Sequence, residues 1–146
     1  MKIKTTHLYL GLFSLDVLVD MVLGGTLREA PGSAEEIAKR LRWKKALVLS
    51  LRGKEPVPAL DGPDVLSMSV ADLDGKSPLR ARHMIENEFV KYLVLTLGGE
   101  DCNRLIGRML GVKEWRIRRI RTRAGLPPAR LMRGERIRTQ KSTQAA

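Results

Sequence analysis

The chain contains a single cysteine, Cys102, among 146 residues. That excludes an internal disulfide framework and a zinc site built from several thiolates, and it suits a reducing, cytoplasmic compartment. Histidine is nearly as scarce: His7 and His83 stand far apart, so an imidazole-based metal site would need long-range convergence and help from carboxylates. Two carboxylate groupings come nearest to a ligand set. His83 with Glu86 and Glu88 reads as a solvated helix face, and Asp72 with Asp74 reads as turn formers. Aromatic residues make up only 4%, without the clusters of rings on which single-stranded nucleic-acid modules stack bases. There is no P-loop and no Gly-x-Ser-x-Gly elbow. These absences argue against an enzyme and imply no metal and no cofactor.

A membrane-spanning run is missing too. The stretch from Leu8 to Leu23, preceded by Lys2 and Lys4, is interrupted by Asp16 and Asp20. A span needs about 20 apolar residues, and each aspartate would cost about 2.5 to 3.5 kcal/mol at a bilayer centre. No small-x-small cleavage site follows it. The segment reads as a helix buried in a core or facing another subunit, with an acidic stripe one turn long.

What the sequence holds in excess is positive charge. Lys and Arg number 27 against 16 Asp and Glu, a formal net charge of +11, so the chain should seek a polyanion. From Glu100 to Ala146 there are 13 basic and 4 acidic residues, leaving 14 and 12 for everything before. The partner is therefore expected on the C-terminal third.

Capping and breaking signals divide the chain. Thr5 or Thr6 can cap a first helix that the Gly24-Gly25 pair would end. Ser33 and Glu36 form a capping-box pair before Ile37, Ala38 and Leu41. That helical pattern is interrupted near Arg42 and Trp43 and then runs through Val48 and Leu51 to Gly53. Pro56, Pro58, Pro63 and Pro78 exclude a long helix between 55 and 78. There, Leu66, Met68 and Val70 alternate with serines as in a strand, and the Asp61–Asp64 turn would join them to a strand at Val57 to Leu60. A helix over 79–97 follows, then Gly98-Gly99, a helix over 101–110 behind the polar Glu100-Asp101-Cys102-Asn103, the turn glycine Gly111, and a helix over 113–124 closed by Gly125 and Pro127-Pro128.

The segment Asn103 to Thr122 resembles the helix-turn-helix of DNA-binding proteins on seven positions. Ile106, Leu110, Val112, Ile117 and Ile120 stand where that family buries apolar side chains. Gly107 stands where the second helix crosses, and Gly111 stands in the turn. Together with the helix at 79–97, the run is similar to the three-helix variant of bacterial and phage regulators, resolvases and transposases. The resemblance implies a mainly α fold with a helix-turn-helix domain at 79–128, and the capping, breaking and charge patterns divide the rest into 1–54 (helical oligomerisation region), 55–78 (connector with candidate short strands) and 129–146 (basic tail).

It also implies the partner and the site. Helix 113–124 would enter the major groove of double-stranded DNA, with Lys113, Glu114, Trp115, Arg118, Arg119 and Thr122 at base edges. Arginine's planar fork grips guanine O6 and N7 together. Asn103, Arg104, Arg116, Arg121, Arg123, Arg130 and Arg133 would meet phosphates. The implied function is a small prokaryotic or phage transcription regulator, a homodimer or higher homo-oligomer on a palindromic site. The alternatives are a DNA-targeting subunit of a recombination, transposition or packaging assembly, and a regulator that binds RNA polymerase.

Ser33 to Leu51 partly repeats the same spacing, with Ile37, Ala38, Leu41, Trp43, Val48 and Leu51 in corresponding places. Arg42 stands where the turn glycine belongs, and a non-glycine residue in a left-handed turn carries a steric cost. The favoured reading of this region is a dimerisation domain. A diverged second copy, with residues 57–70 as a β-wing, is the alternative.

Overall fold

A computed structural model describes residues 13–55, 68–97 and 102–127. Among these the chain is mainly α, with seven helices: α1 (Leu15–Glu29), α2 (Ala34–Leu41), α3 (Lys45–Arg52), α4 (Val70–Leu73), α5 (Pro78–Leu97), α6 (Cys102–Leu110) and α7 (Glu114–Arg123). No strand occurs among the described residues. The Thr5 or Thr6 cap, residues 57–67 with their turn, Gly98-Gly99 and the tail with Arg130 and Arg133 lie outside them. None of the helices is long and apolar enough to cross a membrane. The chain forms two compact units, residues 1–86 and 87–146. Their boundary falls inside α5, so the first part of the helix expected over 79–97 belongs to the earlier unit.

In the first unit, α1 begins at Ser14, whose hydroxyl accepts from Val17 N at 3.4 Å, and runs through Gly24-Gly25 to Glu29. The expected stop at the double glycine is thus corrected, and the reason is packing. A Cβ at Gly24 would run into the Leu51 carbonyl oxygen, so glycine is what lets α1 and α3 approach this closely. Leu15, Leu18, Val19, Val22, Leu23 and Leu27 of α1 are all buried. The apolar circumference of this helix is therefore covered within the chain, with Val17 its one large apolar residue left exposed. Arg28 and Arg52 bridge the pair in both directions: Arg28 donates to the carbonyls of Arg52, at 2.8 Å, and Lys54, while Arg52 donates to those of Leu27, at 3.2 Å, and Gly32, at 3.3 Å.

The capping box at Ser33 and Glu36 forms as the sequence predicts, with both reciprocal bonds present. Such a cap contributes about 1 kcal/mol. The alternation around Met68 and Val70 does not make a strand at Val70. Ser69 and Asp72 form a capping box instead, and Val70 opens α4. The local cap overrides a period-2 pattern that is only three apolar residues long. Asp74, expected as a turn former, accepts two bonds from the Arg40 guanidinium at 3.1 and 2.9 Å, and the Trp43 indole donates to Lys76 O at 2.9 Å. These contacts hold 68–77 to the α2–α3 turn. Arg82 pairs with Asp20, and with Asp16 at 3.9 Å, which gives the acidic stripe of α1 a partner.

The second unit contains the end of α5, then α6 and α7. Ile106 and Leu110 of α6 and Ile117 and Ile120 of α7 are fully buried, and α6 and α7 pack directly on each other. Phe89, Val90, Leu93 and Val94 are buried on α5.

Candidate functional site

The junction between α6 and α7 is set by two glycines. Gly111 ends α6 with φ 66°, the left-handed conformation in which only glycine escapes a Cβ penalty. The chain then doubles back, and Val112 N donates to Gly107 O at 2.9 Å, the six-to-one bond of a Schellman-type helix end. At Gly107 a Cβ would lie 2.8 Å from Val112 O and 3.7 Å from Ile117 Cγ1. The turn and the second helix therefore use the space that a side chain at 107 would fill. Lys113, with extended backbone, occupies the N-cap of α7 without a side-chain cap bond.

With Ile117 and Ile120 turned inward, the opposite face of α7 is open to solvent and basic. Lys113, Glu114, Trp115, Arg118, Arg119 and Thr122 are all exposed. These are the six residues the sequence assigns to base contact; Lys113 is the N-cap of α7 and the other five stand on the helix. Arg119 places its guanidinium 5.1 Å from the Trp115 ring centroid, a cation–π contact worth about 0.5 to 1 kcal/mol at an exposed site. Arg118 lies 3.6 Å from Glu114 one turn earlier. A surface pair of this kind contributes little and is easily exchanged. Thr122 Oγ1 donates back to Arg118 O at 3.0 Å. Arg104 is exposed on α6.

The phosphate assignments divide. Asn103 and Arg121 are corrected: they are 6% and 2% exposed and bonded to each other, Arg121 Nη1 donating to Asn103 Oδ1 at 2.9 Å. Two further Arg121 nitrogens donate to Pro127 O, Nε at 3.0 Å. A buried guanidinium with its donors satisfied by protein acceptors is a structural fastener, because exposing it would break those bonds and leave their acceptors unpaired. It ties the end of α7 and the segment after Gly125 to the start of α6. Arg123 is half-buried and donates from Nε to Asn87 Oδ1 at 3.1 Å, joining α7 to α5 within the second unit. Arg116 is half-buried. Asn87 is the residue the sequence did not single out. A lone asparagine inside a helical stretch carries no signal until the chain has folded.

The arrangement offers a convex cationic helix with an aromatic platform, flanked by a tight turn. No cluster of His, Cys, Asp or Glu suited to a metal occurs among the described residues, and Cys102 is buried. Compared with family models, with curated proteins and with solved structures, the chain finds no match.

Proposed function

We propose that this chain is a sequence-specific double-stranded DNA-binding protein in which α6 and α7 act as a helix-turn-helix and α7 reads the major groove. The observation that supports this reading most is the separation of α7 into two faces. Ile117, Ile120 and Arg121 are buried, while Arg118, Arg119 and Trp115 stay exposed, with a weak pair from Glu114 to Arg118 and the Arg119–Trp115 contact on that face. An α-helix presented in this way fits a major groove about 12 Å wide. Residues 115–123 contain five arginines and no carboxylate, whereas a merely solvated face mixes signs.

In this reading Arg118 and Arg119 grip guanine edges, Glu114 accepts from cytosine N4, and Trp115 and Thr122 pack along the groove. Lys113 reaches a base edge at the start of α7, and Arg104 and Arg116 meet phosphates. Residues 129–146 follow the backbone as a basic arm. Two copies on a palindrome would place their α7 helices about 34 Å apart, and regulation of transcription by occupancy follows from such binding.

The test is selection from a pool of random duplexes by the purified chain. Recovery of a defined, guanine-containing sequence is expected, and the Arg118→Ala, Arg119→Ala double variant should recover none while melting at the wild-type temperature. Retention of no duplex by the wild-type chain would refute the proposal.

A further inference from the structure

The earlier helix pair repeats the turn of the later one, at an offset of 69 positions. α2 ends on Arg42 with φ 63°, and α6 ends on Gly111 with φ 66°. Trp43 N donates to Ala38 O at 3.0 Å, as Val112 N does to Gly107 O at 2.9 Å. Lys44 and Lys113 are the N-caps that follow, both extended and both without a side-chain cap bond. Ile37, Leu41, Val48 and Leu51 are buried at the positions of Ile106, Leu110, Ile117 and Ile120. Even the inward arginine recurs. Arg52 donates to the carbonyls of Leu27 and Gly32 where Arg121 donates to that of Pro127.

The steric objection raised by Arg42 is thus met in the fold, where the residue takes the left-handed conformation. The electrostatic objection, a near balance of charge before residue 100, is an average over unlike segments. Residues 34–54 hold seven basic and two acidic side chains, and residues 55–99 hold four basic and seven acidic. Of the seven basic side chains, Arg40 is held by Asp74 and Arg52 by carbonyl groups. Lys45 makes only a loose exposed pair with Glu35 at 3.8 Å that a phosphate can displace, so charge complementarity points from Arg42, Lys44 and Lys45 to a polyanion. Arg42 also lines an open cleft with Lys76 at the start of α5, adding positive charge beside the turn.

We propose that α3 is a second duplex-contacting helix. Lys44 and Lys45 meet phosphates, and Ala46, Leu49 and Ser50 face the groove. All five are exposed, and they occupy the positions of Lys113, Glu114, Trp115, Arg118 and Arg119 on α7. The chemistry differs in kind. Alanine and leucine have no donor for guanine but pack against the thymine methyl group, so α3 contacts thymine-bearing steps weakly, and its affinity comes from the lysines. The inference rests in part on the DNA-binding reading of α6–α7, with which the pair shares its geometry.

The test is fluorescence anisotropy of the full chain with a labelled duplex of about 40 base pairs, titrated over a range of salt. Four proteins are compared: wild type, Lys44→Ala with Lys45→Ala, Arg118→Ala with Arg119→Ala, and the quadruple variant. Loss of two phosphate contacts should reduce the slope of log K against log salt by about two and weaken binding about tenfold at low salt. The arginine double variant should keep a residual, salt-sensitive affinity that the quadruple variant lacks. Circular dichroism should be the same for all four, since each altered side chain is exposed.

An unchanged slope and affinity in the lysine variant would overturn this inference and leave α7 as the reader. No DNA binding by the wild type would overturn both. Conversion of an oligomer to a monomer by Leu49→Asp, with DNA affinity intact, would make the face a contact between copies of the chain and overturn it as well.

Discussion

The two helix pairs share a turn geometry and differ in what they present. In α2–α3 and α6–α7 the first helix ends in a left-handed residue, the chain turns back with a six-to-one hydrogen bond, and a lysine opens the second helix. Four apolar positions are buried alike in both, Ile37, Leu41, Val48 and Leu51 in one and Ile106, Leu110, Ile117 and Ile120 in the other. The outer faces are not: α7 carries Trp115, Arg118 and Arg119 where α3 carries Ala46, Leu49 and Ser50. The junctions differ as well. The crossing residue is alanine in one pair and glycine in the other, and the left-handed residue is arginine in one and glycine in the other. The comparison separates the turn geometry and the buried apolar positions, which recur, from the side chains of the junction and the outer face, which do not.

The inward arginines give the largest expected contrast in stability. Arg121 is 2% exposed and its partners are buried or carbonyl groups, so Arg121→Ala should cost about 3 kcal/mol in urea unfolding. Arg52 is only half-buried, and water can replace its bonds, so Arg52→Ala should cost about 1 kcal/mol. Equal costs would break the equivalence drawn here between burial and structural role.

The crossing residues come next. Gly107→Ala forces a Cβ toward Val112 O, a backbone atom that cannot step aside, and overpacking of this kind costs about 1 to 3 kcal/mol. The reverse change in the other pair, Ala38→Gly, removes a tolerated methyl group and should cost only about 0.5 to 1 kcal/mol. A chemical-denaturation series on the two variants distinguishes a crowded crossing from one with room.

At the left-handed positions the signs should oppose. Arg42→Gly relieves a residue at φ 63° and should raise stability by up to about 1 kcal/mol, offset in part by the freer unfolded chain. Gly111→Ala imposes the same strain and should lower stability by about 1 to 2 kcal/mol. Thermal melts of both test whether the two turns are one geometry. The smallest effect on stability belongs to Arg118→Ala with Arg119→Ala, within about 0.5 kcal/mol of wild type, because neither side chain supports the core.

Much of this was legible locally. Ser33 with Glu36, Gly53 after α3, Pro78 at the start of α5 and the Gly107–Gly111 spacing each act within one or two turns of chain, where sequence alone carries the cause. Gly24-Gly25 misled because the same residue type that ends a helix also admits a neighbouring backbone, and Leu51 is distant in sequence. The Ser69 and Asp72 box was present in the sequence but was outweighed by a three-residue alternation. Arg121 could have been placed by periodicity. It follows Ile117 by one turn and adjoins Ile120, which sets it on the inner face, and Arg52 stands likewise to Val48 and Leu51. Its assignment to phosphate came from its charge, whereas its position on the helix decides its role. Arg42 shows the converse, since its left-handed backbone could not be read from a residue type that disfavours it.

Guanine methylation interference on the selected duplex tests major-groove reading by α7 most directly. Methylation at N7 occupies the atom that an arginine fork needs. Wild-type binding should be blocked at discrete guanines, and that pattern should vanish in the Arg118→Ala, Arg119→Ala variant. Full-strength binding to the methylated duplex, with interference confined to adenine N3 in the minor groove, would contradict it.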